Sequence, residues 1–157
     1  MQEALALYPR IFKDCCLYRV GAYEGIKELL AFLRENHISC AVLSNKPHDR
    51  TLDNVWAVFG KECFDRIYGE REDEGIAKKP SPDGVEAICR ELGVSGEECL
   101  YFGDTNTDME TGKNAGVDTV GVTWGFRSRE ELLAFHPVLL ADHPAQVIDF
   151  VRRANGI

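Results

Sequence analysis

The sequence predicts an α/β fold in which a parallel sheet carries helices on both faces. Three observations lead there. Short apolar runs alternate with amphipathic stretches of 10–15 residues, the pattern of strand–helix–strand units. The apolar runs are continuous rather than alternating, as in strands covered on both sides. The chain has 157 residues, 45% hydrophobic and 28% charged, and a domain of that size buries roughly 70% of its unfolded surface without staples.

The elements follow in order. Residues 2–16 read as helix, interrupted near Pro9, where proline opens or kinks a helix. Residues 24–36 form an amphipathic helix with Ile26, Leu29, Leu30 and Leu33 at helical spacing. Ile38–Leu43 is a strand buried on both faces. Residues 48–59 are helical, with Leu52, Val55, Trp56 and Phe59 on one side. A short strand near Arg66–Tyr68 leads into a charged loop over 69–79. Ser81-Pro82-Asp83 opens a helix to about Leu92, with Ser81 as a suitable cap. Strands at 99–102, 119–122 and 138–140 alternate with helices at 107–115, after Ser128 and at 144–154. Ser128-Arg129-Glu130-Glu131 is a capping box.

The formal charge of −8 is spread along the chain, which argues against nucleic acid and anionic membrane as partners. Six cysteines, Cys15, Cys16, Cys40, Cys63, Cys89 and Cys99, contain no CxxC pair. That excludes the common zinc spacings and suits small hydrophobes in a reducing compartment. The start has no basic segment followed by an apolar one, and no run reaches the ~20 apolar residues of a membrane helix. A cytoplasmic protein is expected.

In parallel sheets ligands bind beyond the carboxyl ends of the strands. Three such ends carry polar groups. Ser44 follows the first strand, so its hydroxyl and the backbone amide of Asn45 can donate to a phosphate oxygen; turn chemistry alone would also explain a serine there. Lys78-Lys79 stands beside Pro80 at a helix start, placed to neutralise a phosphate, or simply as a solvated basic pair. Gly103-Asp104-Thr105-Asn106-Thr107-Asp108 sets two carboxylates four residues apart after a strand. Magnesium takes one or two protein carboxylates in an oxygen shell, and Asp108 equally serves as a first-turn acid.

Taken together, strand–Ser, Lys-Pro at a helix start and strand–GDxxxD, in this order, resemble the second, third and fourth motifs of the haloacid-dehalogenase superfamily. The resemblance runs from Tyr23-Glu24-Gly25 onward. Thr111–Val117 and Val122–Arg127 look like the phosphoglycolate phosphatase branch. It implies a Rossmann-like core over residues 21–157 and, over residues 1–20, the remnant of a helical cap. It implies phosphate binding by Ser44, Asn45 and Lys79, with Lys79 the catalytic lysine because it directly precedes the proline. It also implies a Mg2+ site at Asp104, supported by Asp108. The expected substrate is a small phosphorylated metabolite.

The superfamily's first motif, a strand ending in DxD that supplies the nucleophile and the general acid, is absent from these 157 residues. Without it covalent catalysis is unavailable, metal affinity is expected to be weak, and the central strand of the sheet is missing. Strands lie ~4.8 Å apart, so a gap of roughly 10 Å is expected between the strands ending at Ser44 and Asp104. Direct pairing of the flanking strands, a strand borrowed in a homodimer, or a longer parent protein would each resolve it. The readings are therefore a phosphatase truncated and inactive as this chain, or a non-catalytic phosphate- or partner-binding module. A response-regulator receiver also uses acids, a hydroxyl and a lysine, but in a different order.

Overall fold

The structure, a computed structural model, describes residues 17–157. The helix expected at 2–16, Tyr8, Cys15 and Cys16 lie outside the described residues, as does most of the expected cap segment.

Helix α1 spans Ile26–Glu35, followed by β1 (Ala41–Pro47), α2 (His48–Phe59), β2 (Arg66–Glu70), α3 (Asp83–Leu92), β3 (Leu100–Gly103), α4 (Asn106–Ala115), β4 (Asp118–Val122), α5 (Arg129–Leu133), β5 (Leu139–Ala141) and α6 (Pro144–Asn155). Single 3-10 turns at Glu72–Glu74 and Gly96–Glu98 complete it. All ladders are parallel, as the alternation of strands and helices requires. Helix starts follow local chemistry. Thr105 and Ser128 each accept a bond from the backbone N–H three residues on, and Asp108 and Glu131 reach back to complete capping boxes. Ser81 is not the cap of α3; Pro82 occupies that place, and the Ser81 hydroxyl instead donates to Asp83 Oδ1 at 2.7 Å.

The strands form two sheets, not one. One has the order β1-β2 and the other β3-β4-β5. Strands β1 and β3 share no ladder, so direct pairing across the expected gap does not occur. The consequence is visible in burial. Val120 and Ala141, inside the three-stranded sheet, are fully buried. Ala41, Val42 and Leu43, expected to be covered on both sides, are only half-buried, and Phe102 on β3 is exposed. An apolar strand one face or edge of which sees water retains the hydrogen-bonding groups that a neighbour would use. Among the described residues no strand pairs with the remaining edge of β1 or of β3, and the gap between those edges is a slot.

Helices cover the strands on opposite faces. Leu100 packs with Leu29 of α1 and with Val147 and Val151 of α6, in the cluster that also holds Val120, Val122 and Trp124. The next residue, Tyr101, points the other way, into a cluster with Val85 and Cys89 of α3, Val117, and Leu43 of β1. Helix α3 thus touches side chains from both sheets and spans the slot. Beside the slot's other end, a cavity of about 300 Å³ is lined by Leu30 and Leu33 of α1 and by Ile38, Cys40, Cys63 and Asp65.

Strand β1 begins three residues later than expected and runs past Ser44 to Pro47. Ala41, Val42 and Leu43 pair with Arg66, Ile67 and Tyr68, but the next pair is Pro47 with Glu70. Three residues, Ser44–Lys46, bulge where β2 supplies one. A bulge re-aims side chains near a site, and this one turns Asn45 outward. No helix among the described residues is long and apolar enough to cross a membrane.

The described cysteines are free thiols. Cys89 is buried as expected, while Cys40, Cys63 and Cys99 are half-buried. Burial, reinforced by Cys63 and Asp65, pushes the Cys40 thiol up to about 12, and burial beside Cys89 does the same to Cys99. Since the thiolate is the nucleophile, both should alkylate with iodoacetamide at pH 8 about 10³-fold more slowly than an unperturbed cysteine; peptide mapping by mass spectrometry over a time course checks this.

Candidate active site

Three of the residues singled out in the sequence are joined by direct bonds. Lys79 Nζ meets Asp108 Oδ1 at 2.7 Å, with the two side chains 14% and 7% exposed. Asn45 grips the backbone of the same lysine twice. Its Oδ1 accepts from Lys79 N at 2.8 Å, and its Nδ2 donates to Lys79 O at 3.0 Å. The bulge in β1 is what brings this amide across 34 residues of sequence to the lysine. Asn45's side chain is therefore committed to the Lys79 segment, and only its backbone amide is available for the phosphate role expected of it.

Asp108 is held by more than the lysine. Thr105 N and Thr105 Oγ1 both donate to its Oδ2, at 3.1 and 2.6 Å, and Tyr101 OH reaches Oδ1 at 3.4 Å. Burial, helped by the Asp108 charge, pushes the Tyr101 phenol up, so it stays protonated and remains a donor. Both Asp108 oxygens thus accept hydrogen bonds, Oδ1 from Lys79 and Tyr101 and Oδ2 from Thr105. Gly103 permits the arrangement, since a Cβ there would overlap the Asp108 side chain.

Asp104 lies at the tip of β3 and belongs to a different set of bonds. Its Oδ2 accepts from Phe126 N at 2.9 Å, and its carbonyl accepts from Arg127 N at 3.2 Å. The loop after β4 is thereby wrapped around the carboxylate, so closely that a Cβ on Gly125 would overlap it. Asp104 makes no direct bond to Lys79. Two residues on, the buried Asn106 Oδ1 has no hydrogen-bond partner. The donors around Asp104 are carboxylate and amide oxygens, the kind a hard divalent cation takes. Among the described residues no cluster of three His, Cys, Asp or Glu side chains could hold a metal.

Ser44 stands one residue before Asn45. Its Oγ accepts from Lys46 N at 3.1 Å, a local turn bond of the sort serine favours, which leaves the hydroxyl proton to donate. Lys78 turns away and bridges Glu70 and Glu72, both at 2.9 Å. Trp124 packs into the core between the three-stranded sheet and α1. Sequence reasoning missed Tyr101, Thr105 and Asn114. The last donates from Nδ2 to Pro80 O at 2.8 Å. The capping pattern of Thr105 and Asp108 was readable; the long-range bonds of Tyr101 and Asn114 left no local trace.

Comparisons with known proteins agree with this geometry. Residues 1–122 match the family described as haloacid dehalogenase-like hydrolase. The N-acetylmuramic acid 6-phosphate phosphatase of Pseudomonas aeruginosa is 29% identical over 151 residues, covering 91% of this chain and 63% of that protein. The phosphoglycolate phosphatase of Photobacterium profundum is 29% identical over 154 residues, covering 98% and 66%. A crystal structure from Lactobacillus delbrueckii subsp. bulgaricus, provisionally described as a phosphoglycolate phosphatase, superposes with a TM-score of 0.89 at 31% identity, over 96% of this chain and 62% of that one. The chain thus spans about two thirds or less of the length of these relatives. With a matching family signature over most of its residues and the same fold, it belongs to the haloacid dehalogenase-like hydrolases.

Proposed function

We propose that this chain carries the phosphate- and metal-binding side of a magnesium-dependent phosphomonoesterase for a small phosphorylated metabolite, of the phosphoglycolate type. The observation that supports the reading best is the buried Lys79–Asp108 pair with Asn45 clamped on the lysine's backbone. A lysine fixed this way at the mouth of a parallel sheet is a prepaid counter-charge for a phosphoryl group. Its attraction to a phosphate oxygen at ~4 Å is of order 4 kcal/mol at an effective dielectric of 20.

The roles divide as follows. The Ser44 hydroxyl and the Asn45 amide donate to phosphate oxygens. Lys79 neutralises the phosphoryl charge, and Asp108 and Tyr101 hold Lys79. Asp104 is the magnesium ligand, and Mg2+ when bound neutralises and polarises the phosphoryl oxygens. The relatives named for phosphoglycolate and for N-acetylmuramic acid 6-phosphate are both phosphomonoesterases by name, which supports the reaction class more strongly than any one leaving group.

These residues contain no DxD, so the attacking carboxylate is the part not supplied. The slot between β1 and β3 lies between the two sets of site residues, and a strand seated in it would place its carboxyl end beside Lys79 and Asp104. A strand donated by a second copy makes a homodimer, which light scattering reads directly. With the slot empty the chain binds phosphate without turnover, and the second reading, a non-catalytic phosphate-binding module, describes it in that state.

The 157-residue chain, assayed with Mg2+ on phosphoglycolate and on an aryl phosphate, should show no hydrolysis above the Asp104→Ala control; turnover abolished by that substitution would mean another group supplies the nucleophile. Orthophosphate should still bind, and Lys79→Ala should weaken it at least roughly tenfold by calorimetry. Gly125→Ala, which forces a Cβ onto the Asp104 carboxylate, should abolish the Mg2+ dependence of phosphate binding while Lys79-dependent binding persists.

A further inference from the structure

Asn114 stands near the end of α4 with an exposed side chain, yet its amide is not used to finish the helix. Gly116 does that, through backbone bonds to Gly112 and Lys113. Asparagine is also a poor helix former. What the side chain does instead is reach a residue 34 positions earlier and donate to Pro80 O at 2.8 Å. Pro80 follows Lys79, so this bond fixes the Pro80–Ser81 peptide, one beyond the peptide whose oxygen Asn45 holds.

The same helix holds the lysine's other end. Asp108, in the first turn of α4, takes Lys79 Nζ. Asp108 and Asn114 are six residues apart, about 9 Å along the helix axis. One rigid element therefore sets both where the Lys79 backbone leaves its loop and where its ammonium stops. A lysine stem has four rotatable carbons and no fixed direction of its own; anchoring only the charged tip leaves the backbone end free to drift. Asn45 supplies the third anchor, on the N–H and C=O of Lys79 itself.

We propose that Asn114 is a positioning residue for Lys79, acting through the Pro80 carbonyl, and that it tunes phosphate affinity without touching phosphate. The proposal rests on the reading of Lys79 as the phosphate partner. Its bond lies at the surface, where a neutral hydrogen bond adds little net stability, so its effect belongs to geometry more than to folding.

The test is a cycle of Asn114→Ala, Lys79→Ala and the double variant, read by orthophosphate titration of amide shifts. Asn114→Ala should weaken binding roughly fivefold, the scale of one ordinary hydrogen bond, with little change in Tm. In the Lys79→Ala background the same substitution should change nothing further. An equal loss in both backgrounds, or none in either, overturns the proposal. A second readout needs no phosphate: the exchange rate of the Lys79 backbone amide, which is bonded to Asn45 Oδ1. It should rise in Asn114→Ala. If wild-type protein binds no orthophosphate, the functional reading fails, and the positioning role stands or falls on that rate alone; an unchanged rate overturns it.

Discussion

The ion pair between Lys79 and Asp108 is the constraint on which the rest of the molecule depends. Lys79 is tied through Asn45 to the two-stranded sheet, and Asp108 grows directly from the three-stranded one. The pair therefore couples two sheets that share no ladder. Buried charges must be matched, and removing one partner of such a pair costs about 3–5 kcal/mol because the other is left uncompensated. Here the Asp108 side is matched several times over. Asp108 accepts from Lys79, Tyr101 and two donors of Thr105, so its charge is well solvated by the protein. Helix α3 adds apolar packing across the same seam, joining Leu43 of β1 to Tyr101 of β3 through Val85 and Cys89.

That coupling explains how site residues from separate sheets stay together while the strands between them stand apart. The site has two parts. One is the Asn45–Lys79–Asp108 group, joined by hydrogen bonds, with Ser44 next to Asn45 in the chain. The other is Asp104 wrapped by the Gly125–Arg127 loop. They meet only through the short chain from Asp104 to Asp108, which the Thr105 cap makes rigid. The Lys79–Asp108 pair and the Asp104 carboxylate thus stand at the two ends of one short, capped segment. The slot lies beside both, bordered by half-buried apolar residues of β1 and the exposed Phe102 of β3.

Much of this was legible in the sequence because periodicity and capping are local. Helix α2 and the capping boxes at Thr105 and Ser128 follow from residues within a turn of one another. The candidate residues Ser44, Lys79, Asp104 and Asp108 could be named because polar groups after apolar runs sit at strand ends. What the sequence hid is non-local. The bulge that carries β1 on to Pro47 depends on its register with β2, and a run of apolar residues looks the same whether both faces or one are covered. The side-chain partners of Asp108 and Asn45 were likewise invisible: each bonds Lys79, a residue 29 to 34 positions away. Ser81 looked like a cap because serine usually is one, but Pro82 took the position.

The central claim is that one ion pair and one helix hold together two parallel half-sheets that share no ladder. Interstrand nuclear Overhauser contacts in uniformly labelled protein test it most directly. The account predicts backbone contacts between Ala41–Leu43 and Arg66–Tyr68, and between Leu100–Gly103 and Asp118–Gly121, with no backbone contacts between Ala41–Leu43 and Leu100–Phe102. Backbone contacts between those last two segments would show that the strands close on each other, and would contradict it.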